Sequence, residues 1–290
     1  MTAIDESQFD HPGRGRGLID VYRYRYLLRL LVGKSTSLRY RNSVLGWFWS
    51  YVRPTVQFLV YFLFVGQVLG MHREVEAFPL YLFCGIAIMN LFNESFGAAT
   101  KSVVGNKALV KKIYLPRELF PLSAVIGSSV HFLPMLAVLL VVALGFGWVP
   151  SLASIGLVLA AVLLTVAFVI GVGLLFSALN VRYRDATNIV DIIRMVSTWL
   201  SPVLYTWAMI YEQTEQVRWL FALYMSNPIT VSVELMHQAL WGSVVHSTDN
   251  HGWPPDFGVF VGVSILLTAL ALIVGQFVFR RFERSFAQEL

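Results

Sequence analysis

From Leu119 to Val181 the chain runs 63 residues without a single Asp, Glu, Lys or Arg. A helix crosses the hydrocarbon core of a bilayer with about 20 apolar residues, so this run holds two crossings. The stretch GFGWVP at 145–150, with helix-breaking Gly and Pro, is the turn between them. Composition extends the argument to the whole chain, which is 57% hydrophobic and 13% charged with a mean hydropathy of +0.65. A soluble domain carries about a quarter charged residues. The expected fold class is therefore an all-α integral membrane protein.

Similar runs predict six transmembrane helices: Thr55–Gly70, Phe78 to about Thr100, the hairpin of spans three and four, Ile192–Tyr211 and Phe257–Phe279. Lys and Arg accumulate on the cytoplasmic side of short connections. With this topology 20 of the 22 basic residues fall on one side, leaving Arg73 and Arg218 on the other. Both termini are then cytoplasmic in a multi-pass protein. The segment Trp219–Val245 is apolar but carries Asn227, Pro228, Glu234 and His237. Taking it as a seventh crossing would put Arg280, Arg281 and Arg284 outside, so it is expected to form short re-entrant helices whose irregular backbone is buried by protein. Residues 1–54 form a cytoplasmic arm and 55–290 the six-span domain.

Asp5, Glu6, Asp10 and Asp20 leave no apolar core for a signal peptide in the first twenty residues. Between Leu18 and Val32, LIDVYRYRYLLRLLV alternates apolar and basic residues as an interfacial amphipathic helix does. Arg23, Arg25 and Arg29 fit two readings, general attraction to anionic lipid and direct contact with a phosphorylated lipid headgroup. Gly33-Lys34-Ser35 resembles the end of a phosphate-binding loop, but that motif needs Gly where Leu28 stands, so no nucleotide site is expected in the chain itself. A single cysteine, Cys84, allows neither an internal disulfide nor a cysteine-based metal site. No constellation of carboxylates, histidines or nucleophiles has the spacing of a catalytic centre. Glu94, with Asn90 and Asn93 beside it, lies within span two, where an ionisable side chain faces a polar pathway or reaches the interface. His131 stands alone in span three.

Between spans two and three lies KKIYLPRELFP at 111–121. Pro116 stops one helix and suits the first position of another, whose first turn then holds Glu118. Leu109, Val110, Ile113 and Phe120 form an apolar side that either docks into another protein or caps the chain's own bundle.

Four blocks give a resemblance that covers almost the whole chain: LRYRNSVLGWFWSYVRP at 38–54, NKALVKKIYLPRELFPL at 106–122, NVRYRD at 180–185, and SPVLY at 201–205 followed by NP at 227–228. Together they resemble the permease subunit of ABC-2 type exporters, in the polysaccharide and teichoic acid branch that includes the Wzm proteins. The resemblance implies two copies of the chain, a homodimer, working with two copies of a separate ABC ATPase. ATP and Mg would bind that partner and no cofactor this chain. Lys111, Lys112, Tyr114, Leu115, Pro116, Arg117 and Glu118 would form the coupling loop, and Arg182, Tyr183, Arg184 and Asp185 a cytoplasmic turn that faces the same motor or tightens the bundle. Ser201, Pro202, Asn227 and Pro228 would belong to an outer gate.

The implied activity is export of a polyprenyl-pyrophosphate-linked polysaccharide, of O-antigen, teichoic acid or cell-wall galactan type, across the bacterial cytoplasmic (inner) membrane. Membrane lipid and the lipid-linked glycan are the remaining expected partners, and nucleic acid is not one. Competing readings are a small-molecule efflux permease with the same spans, a membrane enzyme acting on lipid-linked sugars, and an assembly scaffold.

Overall fold

The computed structural model describes residues 24–39, 49–112, 115–245 and 252–290. Among these the secondary structure is helical, with no strand. An N-terminal helix α1 (Arg25–Arg39) precedes α2 (Trp49–Tyr61), which runs on without a break as a wider π-helical stretch, Phe62–Val68. Then come α3 (Met71–Glu74), α4 (Phe78–Gly105), α5 (Lys107–Lys112), α6 (Leu119–Gly145) and α7 (Leu152–Arg182). The rest is α8 (Ala186–Trp199), α9 (Trp207–Gln213), α10 (Arg218–Met225), α11 (Pro228–Met236) with a π-helical extension His237–Trp241, α12 (Phe257–Glu283) and α13 (Phe286–Glu289).

Four of these, α4, α6, α7 and α12, are long and apolar enough to cross a membrane. They coincide with expected spans two, three, four and six. The charge-free run folds as the predicted hairpin. Gly147 takes a left-handed φ of +94° that a side chain would resist. The Ser151 hydroxyl then accepts from the Ser154 amide while the Ser154 hydroxyl accepts from the Ser151 amide, each at 3.0 Å, a reciprocal cap for α7.

The stretch expected as span one lies on the continuous α2 and π-helical run, Trp49–Val68, followed by Gly70 with φ +82°. Gly66 and Gly70 are thus a tight contact under the Phe78 ring and a helix stop. Expected span five differs from its prediction: the helix breaks between Trp199 and Trp207. Pro202 has no N–H to continue the ladder, and the freed carbonyls find other donors. The Tyr81 hydroxyl lies 2.7 Å from the carbonyl of Tyr205 and 3.0 Å from that of Pro202, and the Thr230 hydroxyl donates to Leu200 at 3.1 Å.

The long helix α7 is the spine, packed against α4, α11 and α12. α4 is mostly enclosed and also packs on α6, which carries α1 on another side. Where α7 crosses α12 the backbones nearly touch: a Cβ on Gly171 would stand 2.6 Å from the backbone C of Ala271 and N of Leu272. Small residues permit that approach, as they do between helices in lipid. Val138, Val141, Leu159, Leu163, Leu266, Leu270 and Ile273 remain exposed on α6, α7 and α12. Such an apolar surface suits lipid, because acyl chains accept it without cost.

Candidate functional site

The charged loop between α4 and α6 divides into an outward and an inward half. At its start Asn106 ends α4 and its carbonyl accepts from the amides of Leu109 and Val110, which opens α5. Lys111 and Lys112 at the end of α5 are exposed. Val110 is buried among Val103, Phe120, Leu174, Phe279 and Phe286, with Leu109 packed beside them. Leu109, Val110 and Phe120 therefore cap the chain's own bundle. Tyr114 and Ile113 lie outside the described residues.

Arg117 and Glu118 turn inward. The Arg117 guanidinium donates to the carbonyl of Glu283 and lies 5.7 Å over the Phe286 ring. Glu118 is 3% exposed, and its carboxylate accepts from Gln276 on α12 at 3.0 Å. Pro116 stands three residues before α6 rather than at its first position, and Glu118 sits at the cap without bonding the helix's amides. Its carboxylate is held by α12 instead. Leu115 and Pro116 are half-buried. Placing lysine at position 118 would bury a second cation beside Arg117 in place of a bonded carboxylate. Glu118→Lys should thus lose about 3–5 kcal/mol of stability, read as a lower melting temperature in detergent, with Glu118→Gln much closer to wild type.

The turn 180–185 reaches the same region. Asn180 donates to the carbonyl of Thr100 at 3.1 Å, tying α7 to α4. Arg182 lies 5.4 Å over the Phe282 ring and 5.6 Å over Tyr183. Tyr183, Arg184 and Asp185 are exposed. Asn180 and Arg182 hold the bundle together while the next three residues face outward. The two sequence blocks meet on the end of α12 and on α13, through Phe282 and Phe286.

At the opposite end, Ser201 and Pro202 are buried in the break after α8, and the Asn227 side chain accepts from the Ile229 amide at 3.0 Å to start α11. Every residue from Pro228 to Trp241 is buried. The His237 ring stacks on Tyr81 at 3.8 Å, its Nε2 is 3.1 Å from the Tyr81 carbonyl, and its Nδ1 is 3.5 Å from Glu234. Glu234 also accepts from Gln238 at 3.0 Å, and Trp241 donates to the carbonyl of Glu76 at 2.7 Å. Spacing i, i+3, i+4 on α11 signals that Glu234, His237 and Gln238 share one face. The part Tyr81 plays had no sequence signal, because it lies more than 150 residues away.

A polar cleft of about 510 Å³ opens between α1, α4, α6 and α8. Its lining includes Lys34 from α1, Asn93, Glu94 and Lys101 from α4, Ser128 and His131 from α6, and Arg194 from α8. Arg194 bridges Asp191 at 2.8 Å, and a Cβ on Gly97 would stand 3.0 Å from its Nη1. Lys34 donates to Asn106 at 3.3 Å. Of the three arginines suggested for headgroup contact, Arg25 and Arg29 are exposed on α1 and Arg23 lies outside the described residues. Glu94 lines this cleft. Arg194 belongs to the same constellation.

Comparison with known proteins agrees with this architecture. The profile of a family described as ABC-2 type transporter matches residues 26–241. A protein of Myxococcus xanthus named O-antigen export system permease protein RfbA is 30% identical over 222 residues, covering 77% of this chain and 82% of its own length. A protein of the same name from Klebsiella pneumoniae is 28% identical over 272 residues, covering 93% and 98%. A second Klebsiella pneumoniae relative of that name is 25% identical over the same length.

Proposed function

The chain belongs to the ABC-2 type transporter family, and on that premise we propose that this integral membrane protein exports a polysaccharide attached to a polyprenyl pyrophosphate. The export is driven by ATP, with Mg, on a separate ATPase subunit. The relatives named O-antigen export permeases support the substrate class. The coupling step is carried by one observation: Lys111 and Lys112 stand exposed at the end of α5 while Arg117 and Glu118 tie the same loop to α12. A partner that moves α5 would pull on the last helix of the bundle through those two bonds. Tyr114 and Leu115 complete the loop, and Tyr183, Arg184 and Asp185 offer a second contact.

In this reading the chain crosses the bacterial inner membrane six times, with both termini in the cytoplasm, and works as a dimer with two ATPase subunits. The α2 run supplies span one. The two helices α8 and α9 supply span five, with α10 and α11 as re-entrant helices between it and α12. Buried Ser201 and Pro202 with Asn227 and Pro228 form the outer gate, whose broken backbone is held by Tyr81 and Thr230. Arg23, Arg25 and Arg29 face headgroups at the inner surface.

Purification of the tagged chain in mild detergent tests the proposal. It should bring down an ATP-hydrolysing partner in equal amount, and depletion of the chain should leave lipid-linked glycan inside the cell. Recovery of the chain alone, together with sugar transfer that needs no ATP, would overturn the proposal in favour of a membrane enzyme.

A further inference from the structure

Three helices distant in sequence, α1, α4 and α8, bring their charged side chains to one cleft that α6 completes. Lys34, Lys101 and Arg194 line it together with Glu94, and Asp191 on α8 pairs with Arg194 at 2.8 Å. Three cations against these two carboxylates leave one positive charge in excess. An ionisable cluster of this kind inside a membrane bundle marks a ligand pathway more often than a structural device.

The state of Arg194 narrows the ligand. Its Nη1 bonds Asp191 at 2.8 Å, while its buried Nε has no partner among the described residues. The guanidinium rests over Gly97, where the missing side chain leaves it room. Lys34 and Lys101 are exposed and stand at the open edge, and Lys34 bonds Asn106, where the charged loop begins. The cleft therefore carries exposed charge at its mouth and, at Arg194, a buried donor that is not satisfied.

We propose that this cleft is an anion site and that the group it takes is a phosphate or pyrophosphate. A phosphate offers several strong acceptor oxygens, so that groups from α1, α4 and α8 can bind it together. Guanidinium and ammonium groups are the usual partners of phosphate oxygens, the first by its planar fork and the second as a point charge. The Ser128 hydroxyl and the Asn93 amide N–H groups are neutral donors in the lining. That the phosphate belongs to the headgroup of a lipid-linked glycan rests on the export function proposed above, whereas the anion site does not.

The full-length protein, purified in zwitterionic detergent, would be titrated with inorganic pyrophosphate and with a polyprenyl pyrophosphate and followed by native mass spectrometry. Both probes should bind the wild type. Arg194→Gln and Lys101→Gln should each weaken binding at least tenfold, and Arg73→Gln, outside the cleft, should leave it unchanged. Lys101 is exposed, so Lys101→Gln keeps the test valid if Arg194→Gln fails to fold. Inorganic pyrophosphate bound through the cleft with no binding of the lipid form upholds the anion site and counts against lipid-linked cargo. Lipid probe bound equally by wild type and both variants overturns the cleft assignment and leaves the export function standing. Absence of binding by either probe overturns the anion site.

Discussion

Replacing Gly275 with alanine is expected to remove most of the folded protein from the membrane. The helices α7 and α12 cross with backbone against backbone: a Cβ on Gly275 would collide with the carbonyl oxygen of Gly171, and a Cβ on Gly171 with Ala271 and Leu272. Neither obstacle is the free end of a flexible side chain, so relief requires the two helices to separate. The cost should exceed the ~3 kcal/mol at the top of the usual overpacking range. Separation would also loosen Phe279, packed at full burial against Phe286 at 5.4 Å. Gly262 lies on the same helix with open space about it, so Gly262→Ala is the matched control. Size-exclusion profiles of detergent extracts should show the monodisperse peak for Gly262→Ala and its loss for Gly275→Ala. A normal peak and melting temperature for Gly275→Ala would refute the close crossing.

Reversing both exposed lysines of the loop proposed to couple to the ATPase, Lys111→Glu with Lys112→Glu, should reduce export at least tenfold while the protein remains folded at wild-type level. Neither side chain is buried, so reversal acts on what approaches the loop. Like charges placed across a complementary interface cost several kcal/mol. Surface glycan and ATP hydrolysis by the purified complex should fall together. Full export by the double variant would show that the motor is engaged elsewhere, with 183–185 the next place to look. Glu118 is a poorer probe, because its substitution disturbs the bundle through Gln276 and confounds coupling with stability.

The parts of this fold written in local pattern were legible in the sequence. Lack of charge from Leu119 to Val181 defined a hairpin, and the turn residues at 145–150 placed its corner where Gly147 and the Ser151 cap now stand. The charged loop was legible as a loop but not in its orientation. A six-residue helix has too few turns for periodicity to separate the outward Lys111 from the inward Val110, and no local signal ties Glu118 to Gln276, 158 residues on. Span five looked continuous because Ser201–Thr206 is apolar enough for lipid; the hydroxyls of Tyr81 and Thr230, which make a broken helix tolerable there, come from other elements. The cleft was the least visible feature. Glu94 with Asn93 signalled a polar spot, but Lys34 and Arg194 join it through packing of α1 on α6 and of α8 on α4.

The most direct measurement reconstitutes the chain with its ATPase partner in proteoliposomes loaded with a fluorescent polyprenyl-pyrophosphate glycan, and follows delivery of the sugar to the opposite face. The proposed function predicts delivery that requires ATP, vanishes with the Lys111→Glu/Lys112→Glu permease and is absent from vesicles holding either subunit alone. Delivery without ATP, or at an unchanged rate with the charge-reversed loop, would contradict a motor-driven permease coupled through α5.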